Sequence, residues 1–107
     1  MNKMIRHIVL FKVRPDVDAK QFQPLMQEIA QLRTSHGGII GFEHGPNQTP
    51  ETRDQGYNYG FVLTLNSWAD LESYQNDPNH QATGAKLLAA CHPDHAGLLA
   101  FDMEVVN

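Results

Sequence analysis

A chain of 107 residues has room for one hydrophobic core and not for two. Its 41% hydrophobic and 19% charged content is that of a globular domain and excludes a disordered polymer. The formal charge is −4 and the 8 Lys and Arg residues are scattered, so no basic stripe tracks a phosphate backbone and nucleic acid is not an expected partner.

The opening MNKMIRHIVLF has too short an apolar run for a secretory signal, and no stretch reaches the roughly 20 apolar residues of a membrane helix. Cys91 is the only cysteine, so an internal disulfide is impossible and a reducing compartment fits. These features predict a soluble, cytoplasmic protein with no membrane partner. No repeat, low-complexity tract or linker interrupts the chain, and residues 1–107 read as a single domain.

The first predicted element is a strand over about Met4 to Val13, ended by Arg14-Pro15-Asp16, where proline removes a ladder donor. At period two, Ile5, His7, Val9, Phe11 and Val13 share one face, and Met4, Arg6, Ile8, Leu10 and Lys12 the other. Large apolar groups stand on both, so both faces of the sheet are expected to be partly covered. A helix follows and ends near Thr34, with Phe22, Leu25, Met26, Ile29 and Leu32 at helical spacing and Gly37-Gly38 as the stop. Its start has two readings. Asp18 with Gln21 resembles a capping box. Pro24 would then fall past the first turn and cost a hydrogen bond, which a kink or a start nearer Pro24 would avoid.

Ile39 to His44 reads as a short strand. Residues 45–57, GPNQTPETRDQGY, read as a long exposed loop, expected to be mobile or to border a pocket mouth. Tyr57 to Leu65 is the clearest strand, with Tyr57, Tyr59, Phe61, Leu63 and Leu65 on one side. Ser67 caps a short helix bearing Trp68, Leu71 and Tyr74 on one side. Asp77-Pro78 breaks it and starts the next, with Asp77 as N-cap and Pro78 at the first helical position. On that helix His80, Gly84, Leu87, Leu88 and Cys91 are predicted to share a face. After the loop HPDHAG comes a last strand, Leu98 to Val106.

The order β-α-β-β-α-β, with the second helix broken in two, predicts an α+β fold of the ferredoxin-like split βαβ type with an antiparallel sheet. Helices on one side alone would leave Ile8, Leu10 and Val62 bare. Packing against a second copy, giving a homodimer, is the expected remedy.

The segments RHIVLFKVR, GYNYGFVLTL, DLESYQNDPNH and LLAFDMEV together resemble the stress-responsive A/B barrel (Dabb) family along nearly the whole chain. The most specific piece is a Tyr six residues before a His with Pro between, here Tyr74, Pro78 and His80, joined to His7 in the first strand. The resemblance implies a homodimeric α/β barrel. The family includes stress-associated plant proteins and olivetolic acid cyclase, which closes an aromatic ring by aldol condensation. In that cyclase the counterparts of His80, Tyr74 and His7 lie in a cavity between helices and sheet, the first as base and the second as a hydrogen-bonding partner. Two positions depart from it. A cyclase cavity tyrosine falls at Ile29 and a cyclase histidine at Tyr59, and the HPDHAG connection is longer here.

The residues by themselves also converge. His7, Tyr74 and His80 each lie on the apolar face of their element, and those faces meet in a two-layer fold. Three polar groups in one interior can satisfy one another as a stabilising network. They can also do chemistry. In the first turn of its helix, His80 meets the positive end of the dipole, which together with burial favours a neutral imidazole, the form a general base needs. Tyr74 can donate to a carbonyl or enolate oxygen, and His7 can orient His80 or a substrate. Val9, Phe11, Leu25, Ile29 and Phe61 would line an apolar pocket. Enolisation, ring closure or isomerisation of a small apolar carbonyl ligand requires no cofactor and no metal. The expectation is a small-molecule-binding protein with cyclase-like or isomerase-like acid–base chemistry; the rival is a non-catalytic, stress-associated dimer. His92 and His95 make an H-x-x-H spacing, too few ligands for a closed zinc site. His36 and His44 read as surface or sheet residues, Cys91 as a small core residue, and Trp68 as core.

Overall fold

Alternation along the first strand decides which side of the sheet the helices cover. The structure, a computed structural model, describes residues 3–93 and 97–106. Its elements are β1 (Ile5–Phe11), α1 (Ala19–Leu32), β2 (Ile39–Pro46), β3 (Tyr59–Leu65), α2 (Trp68–Gln75), α3 (Pro78–Ala90) and β4 (Leu98–Glu104). The strands pair antiparallel in the order β2-β3-β1-β4. This is the ferredoxin-like α+β fold. Among the described residues no helix is long and apolar enough to cross a membrane.

Ile5, His7, Val9 and Phe11 of β1 face the helices and are buried. Phe61, Leu63 and Leu65 of β3 join them. Against this face α1 sets Phe22, Met26, Ile29 and Leu32, α2 sets Leu71 and Tyr74, and α3 sets Thr83, Leu87 and Ala90. The other face is apolar too. Ile8 and Leu10 stand beside Phe101 and Leu99 in register, and beside Val62 and Gly60 on the other side. Phe101 is 56% exposed, and Leu99 and Met103 are each 39% exposed.

The start of α1 is settled by its capping box. Gln21 N donates to Asp18 Oδ1 and Asp18 N donates to Gln21 Oε1. Pro24 sits inside the helix. The carbonyl it leaves without a donor is that of Lys20, four residues back, and both residues are exposed, so water can serve it. The third strand begins at Tyr59 and not at Tyr57, because Asn58 turns to the exit of β1: its Oδ1 accepts from Val13 N and its Nδ2 donates to Val13 O.

Two packing expectations are corrected. Leu88 is 56% exposed, so the inward face of α3 runs through Thr83, Leu87 and Ala90 instead. The rotation brings Thr83 Oγ1 onto Glu28 of α1 at 2.9 Å, and Lys86 reaches the same carboxylate. Trp68, predicted as core, is 49% exposed. At the first position of α2 it overhangs the sheet edge, where Nε1 donates to Glu104 of β4.

The loop after β2 is held by its own polar side chains. Asn47 Nδ2 donates to the Tyr57 carbonyl, and Asp54 Oδ1 accepts from Gly56 N. Gln55 and Gly56 take positive φ values of 57° and 89°, the tight reversal that this sequence needs. The loop borders a groove of about 720 Å³ on the uncovered face of the sheet, floored by Ile8, Leu10, Val62 and Leu99. His95 of the H-x-x-H pair lies outside the described residues, and His92 is exposed.

A close approach fixes the α1–β2 turn against α2. A Cβ built on Gly38 would lie 2.1 Å from Asp70 Cγ. Asp70 cannot move freely, since it accepts from the capping Ser67 hydroxyl. Gly38→Ala is expected to cost about 1–3 kcal/mol of folding stability by urea denaturation. In Asp70→Ala the clash partner is gone, so the double variant should lose less than the sum of the singles.

Candidate functional site

The inward face of β1 is apolar except at His7, which is 5% exposed. A buried imidazole needs partners for both nitrogens. The β1–β4 register places Asp102 opposite His7, and Nδ1 lies 2.5 Å from Asp102 Oδ1. A carboxylate only accepts, so Nδ1 carries the proton.

The second histidine arrives from α3. Asp77 caps that helix, accepting from Asn79 N at 2.7 Å, with Pro78 at the first position. His80 therefore falls at the third position of the first turn. Tyr74, on the last turn of α2, is 0% exposed. The rings of Tyr74 and His80 are 4.1 Å apart, and those of Tyr74 and His7 are 6.1 Å apart. The three residues thus meet in one place.

They do not satisfy one another. Tyr74 Oη and His80 Nδ1 are buried and have no hydrogen-bond partner. The self-contained His–Tyr network, one of the two readings of these residues, is corrected on this point: His7 bonds to Asp102, and the other two polar atoms are orphans. Each such orphan costs about 1–3 kcal/mol.

Two residues not singled out from the sequence complete the site. Asp102 lies on β4, LLAFDME, and only the register pairs it with His7. His36 was read as surface or sheet. It lies in the turn before β2, half-buried, where Nε2 donates to Asp77 Oδ2 at 2.7 Å and its ring meets Tyr74 edge-on.

Burial holds the His80 imidazole below its ordinary pKa, and repulsion from His7 and His36 adds to this, while Asp77 opposes it. Burial, then the Asp77 charge, pushes the Tyr74 phenol up, so it stays protonated and remains a donor. The His36 bond, then the Asn79 amide, holds Asp77 below the usual carboxylate range. His80 is thus a neutral acceptor beside a neutral donor.

Of the predicted lining, Val9, Phe11, Ile29 and Phe61 are at most 5% exposed and pack in the core, and Leu25 packs against it partly buried. Three surface grooves open elsewhere: the one on the uncovered sheet face, one beside Pro15 and Phe22, and one between α1 and α3. None is lined by His7, Tyr74 or His80. Among the described residues no three His, Cys, Asp or Glu side chains gather as a metal would require. Cys91 is buried, and burial raises its thiol pKa, as in an inert core residue.

A two-layer ferredoxin-like domain with an interior His–Tyr pair defines the class of protein. The chain belongs to the stress-responsive A/B barrel domain (Dabb) family, whose pattern it matches over residues 5–105. It is similar to a dimeric ferredoxin-like protein of unknown function from Jannaschia sp. CCS1, with 31% identity, 95% of this chain and 99% of that one covered, and a TM-score of 0.88. It is similar in fold to a hydroxynitrile lyase from Passiflora edulis, with 18% identity, coverage of 99% and 96%, and a TM-score of 0.85. A Dabb family protein from Mesorhizobium loti shares the fold at 20% identity, coverage of 98% and 99%, and a TM-score of 0.72. No functionally curated protein matches the chain.

The His80 shift makes a stability prediction. A base whose folded pKa lies below its unfolded value stabilises the fold fully above the unfolded pKa, and that contribution is lost as pH falls through the folded one. The melting temperature should drop between about pH 7.5 and about pH 5.5, where an unperturbed imidazole titrates, and His80→Gln should drop less. Equal slopes in the two proteins would remove the inference that His80 is buried neutral. The depressed carboxylates of Glu28, Asp77 and Glu104 titrate below this window.

Proposed function

We propose that this chain is a homodimeric Dabb protein that binds a small carbonyl compound between helices and sheet and moves a proton on it by cofactor-free acid–base catalysis. The observation that carries the reading is the pair of buried, partnerless atoms, Tyr74 Oη and His80 Nδ1. Folded proteins rarely leave such atoms idle, and a carbonyl ligand would serve both. Its oxygen would accept from Tyr74. Its acidic C–H would lie towards His80.

In the proposed step His80 Nδ1 takes the α-proton. The C–H pair becomes the C=C bond of an enolate, and charge collects on the oxygen held by Tyr74. Return of the proton from the imidazolium at another atom gives isomerisation; attack of the enolate carbon on a second carbonyl carbon, whose C=O π pair moves to oxygen and takes that proton, gives ring closure. His7, oriented by Asp102, stands beside the pair. The Passiflora fold relative is a lyase, which fits the same framework hosting such chemistry. The packed core limits the ligand to a small one, or requires the interior to open on binding. A reducing, cytoplasmic setting fits the single buried cysteine.

The second reading is a non-catalytic dimer. Its support is that same packing, with Val9, Phe11, Ile29 and Phe61 all buried in the core. Deuterium exchange at the α-carbon of acetophenone, followed by NMR, separates the two. Exchange above buffer that falls by about 10²–10⁴-fold in His80→Ala, and by less in Tyr74→Phe, is expected of the catalytic reading. If neither exchange nor a chemical-shift change at His80 is seen with acetophenone or with aliphatic ketones and aldehydes, the structural dimer stands.

The dimer follows from the uncovered face. Ile8, Leu10, Val62, Leu99, Phe101 and Met103 form an apolar surface there, and the Jannaschia protein is described as dimeric. Two such faces in contact would bury roughly 2,000 Å² in total. Leu10 lies over Gly60 on this face. Light scattering should give a dimer for the native chain and a monomer for Leu10→Asp. A native chain that is monomeric at micromolar concentration would refute the proposal.

A further inference from the structure

We propose that His36 is a positioning residue for His80: from the α1–β2 turn it clamps the capping carboxylate of α3 and so holds the imidazole of His80 over the Tyr74 ring. The inference takes its catalytic meaning from the reading above, while its geometry is independent of it.

The α2–α3 corner is short. Gln75 ends one helix and Pro78 starts the next, so Asn76 and Asp77 alone set the angle between them. That angle determines how Tyr74, on the last turn of α2, meets His80, on the first turn of α3. Asp77 is bound on every side. Its backbone N–H donates to the Tyr74 carbonyl, and its carbonyl accepts from Gln81 N. Oδ1 accepts from Asn79 N, and Oδ2 accepts from His36. Both members of the His36–Asp77 pair are 13% exposed at their side chains. In such a place a charge-assisted bond is stronger and more directional than on an open surface.

His36 touches both partners of the site. Its ring lies 6.2 Å from that of Tyr74 at 82°, an edge-on contact, while its Nε2 grips the cap of the helix that carries His80. Among the described residues it makes the side-chain hydrogen bond that ties the α1–β2 turn to this corner. A purely structural tie would need no such neighbours. Here the tied group is the carboxylate that caps the helix of His80 and whose charge acts on the imidazole.

The groups that face His80 are few. They are Tyr74 from α2, Asp77 from its own cap, His36 from the turn, and His7 of β1 with Asp102 of β4 behind it. With the His36 donor gone, the Asp77 charge is uncompensated and acts more strongly on His80. The loosened corner also admits water. Both changes favour the imidazolium, so the His80 titration should move to higher pH. With Asp77 neutral, it should move to lower pH.

The test is the NMR titration of the His80 ring in the full chain. His36→Phe keeps an aromatic edge against Tyr74 and deletes the donor; His36→Ala deletes both. His36→Gln keeps an N–H donor at a similar reach. Asp77→Asn keeps the cap and deletes the charge. An upward shift in His36→Phe or His36→Ala, a return towards the native curve in His36→Gln, and a downward shift in Asp77→Asn are expected. A His80 curve unmoved by the loss of the donor, whatever the melting temperature does, overturns the proposal, and so does His36→Gln behaving like His36→Phe. Should His36→Phe fail to fold, His36→Ala is read by the same criterion. If acetophenone exchange is absent while this titration pattern holds, the catalytic reading fails and the positioning stands. If exchange is present and the curve is unmoved, the positioning fails alone.

Discussion

An antiparallel sheet turns side chains to both of its faces, and here the helices cover one. That constraint organises the molecule. β1, paired on both edges, contributes Ile5, Val9 and Phe11 to the core and Ile8 and Leu10 to the uncovered face. A polar residue on its inward side must find a partner within the sheet itself. His7 finds Asp102, one strand over on the edge strand β4. The position suits an ion: Asp102 is 30% exposed at its side chain, so the carboxylate keeps part of its hydration while the imidazole is buried. The outward residues of the same strand, Leu99, Phe101 and Met103, enlarge the apolar surface that a second copy would cover.

The periodic part of this architecture was legible from residues alone. Alternation in IRHIVLF and YGFVLTL identifies two strands and their inward faces, and Asp77-Pro78 marks both the end of one helix and the start of the next. What period cannot supply is phase at the ends of helices and partnership across strands. The α3 stripe was misjudged because Leu87 and Leu88 are equally apolar, and which one turns inward depends on the Glu28–Thr83 contact from a distant helix. Trp68 was misjudged because the first position of a helix overhangs the sheet edge, where a large amphipathic ring can rest against Glu104. Asp102 and His36 were missed for a related reason. Each acts through a partner far away in sequence, and register or turn geometry alone makes the pair.

The chemistry of the site depends on opposed influences at one helix end. Desolvation and two neighbouring histidines favour neutral His80, while the capping carboxylate favours its protonated form. The bond from His36 occupies one oxygen of that carboxylate. The phenol beside it is under no such balance, because burial and the same carboxylate both disfavour its ionised form. The result is an acceptor and a donor, both uncharged, side by side in an apolar wall.

Two uncharged polar atoms without partners are an expense that the fold does not need. Replacing Tyr74 by phenylalanine would retain the packing of the ring and remove one orphan. A leucine at position 80 would remove the other. A sequence selected for stability alone has both routes open, and the core that Tyr74 belongs to is otherwise apolar. The donor and the acceptor stand at the meeting point of three elements, with a β4 carboxylate bonded to one histidine and a turn histidine bonded to the cap of the other, and the proposed ligand rests on the cost that these two atoms impose on the fold.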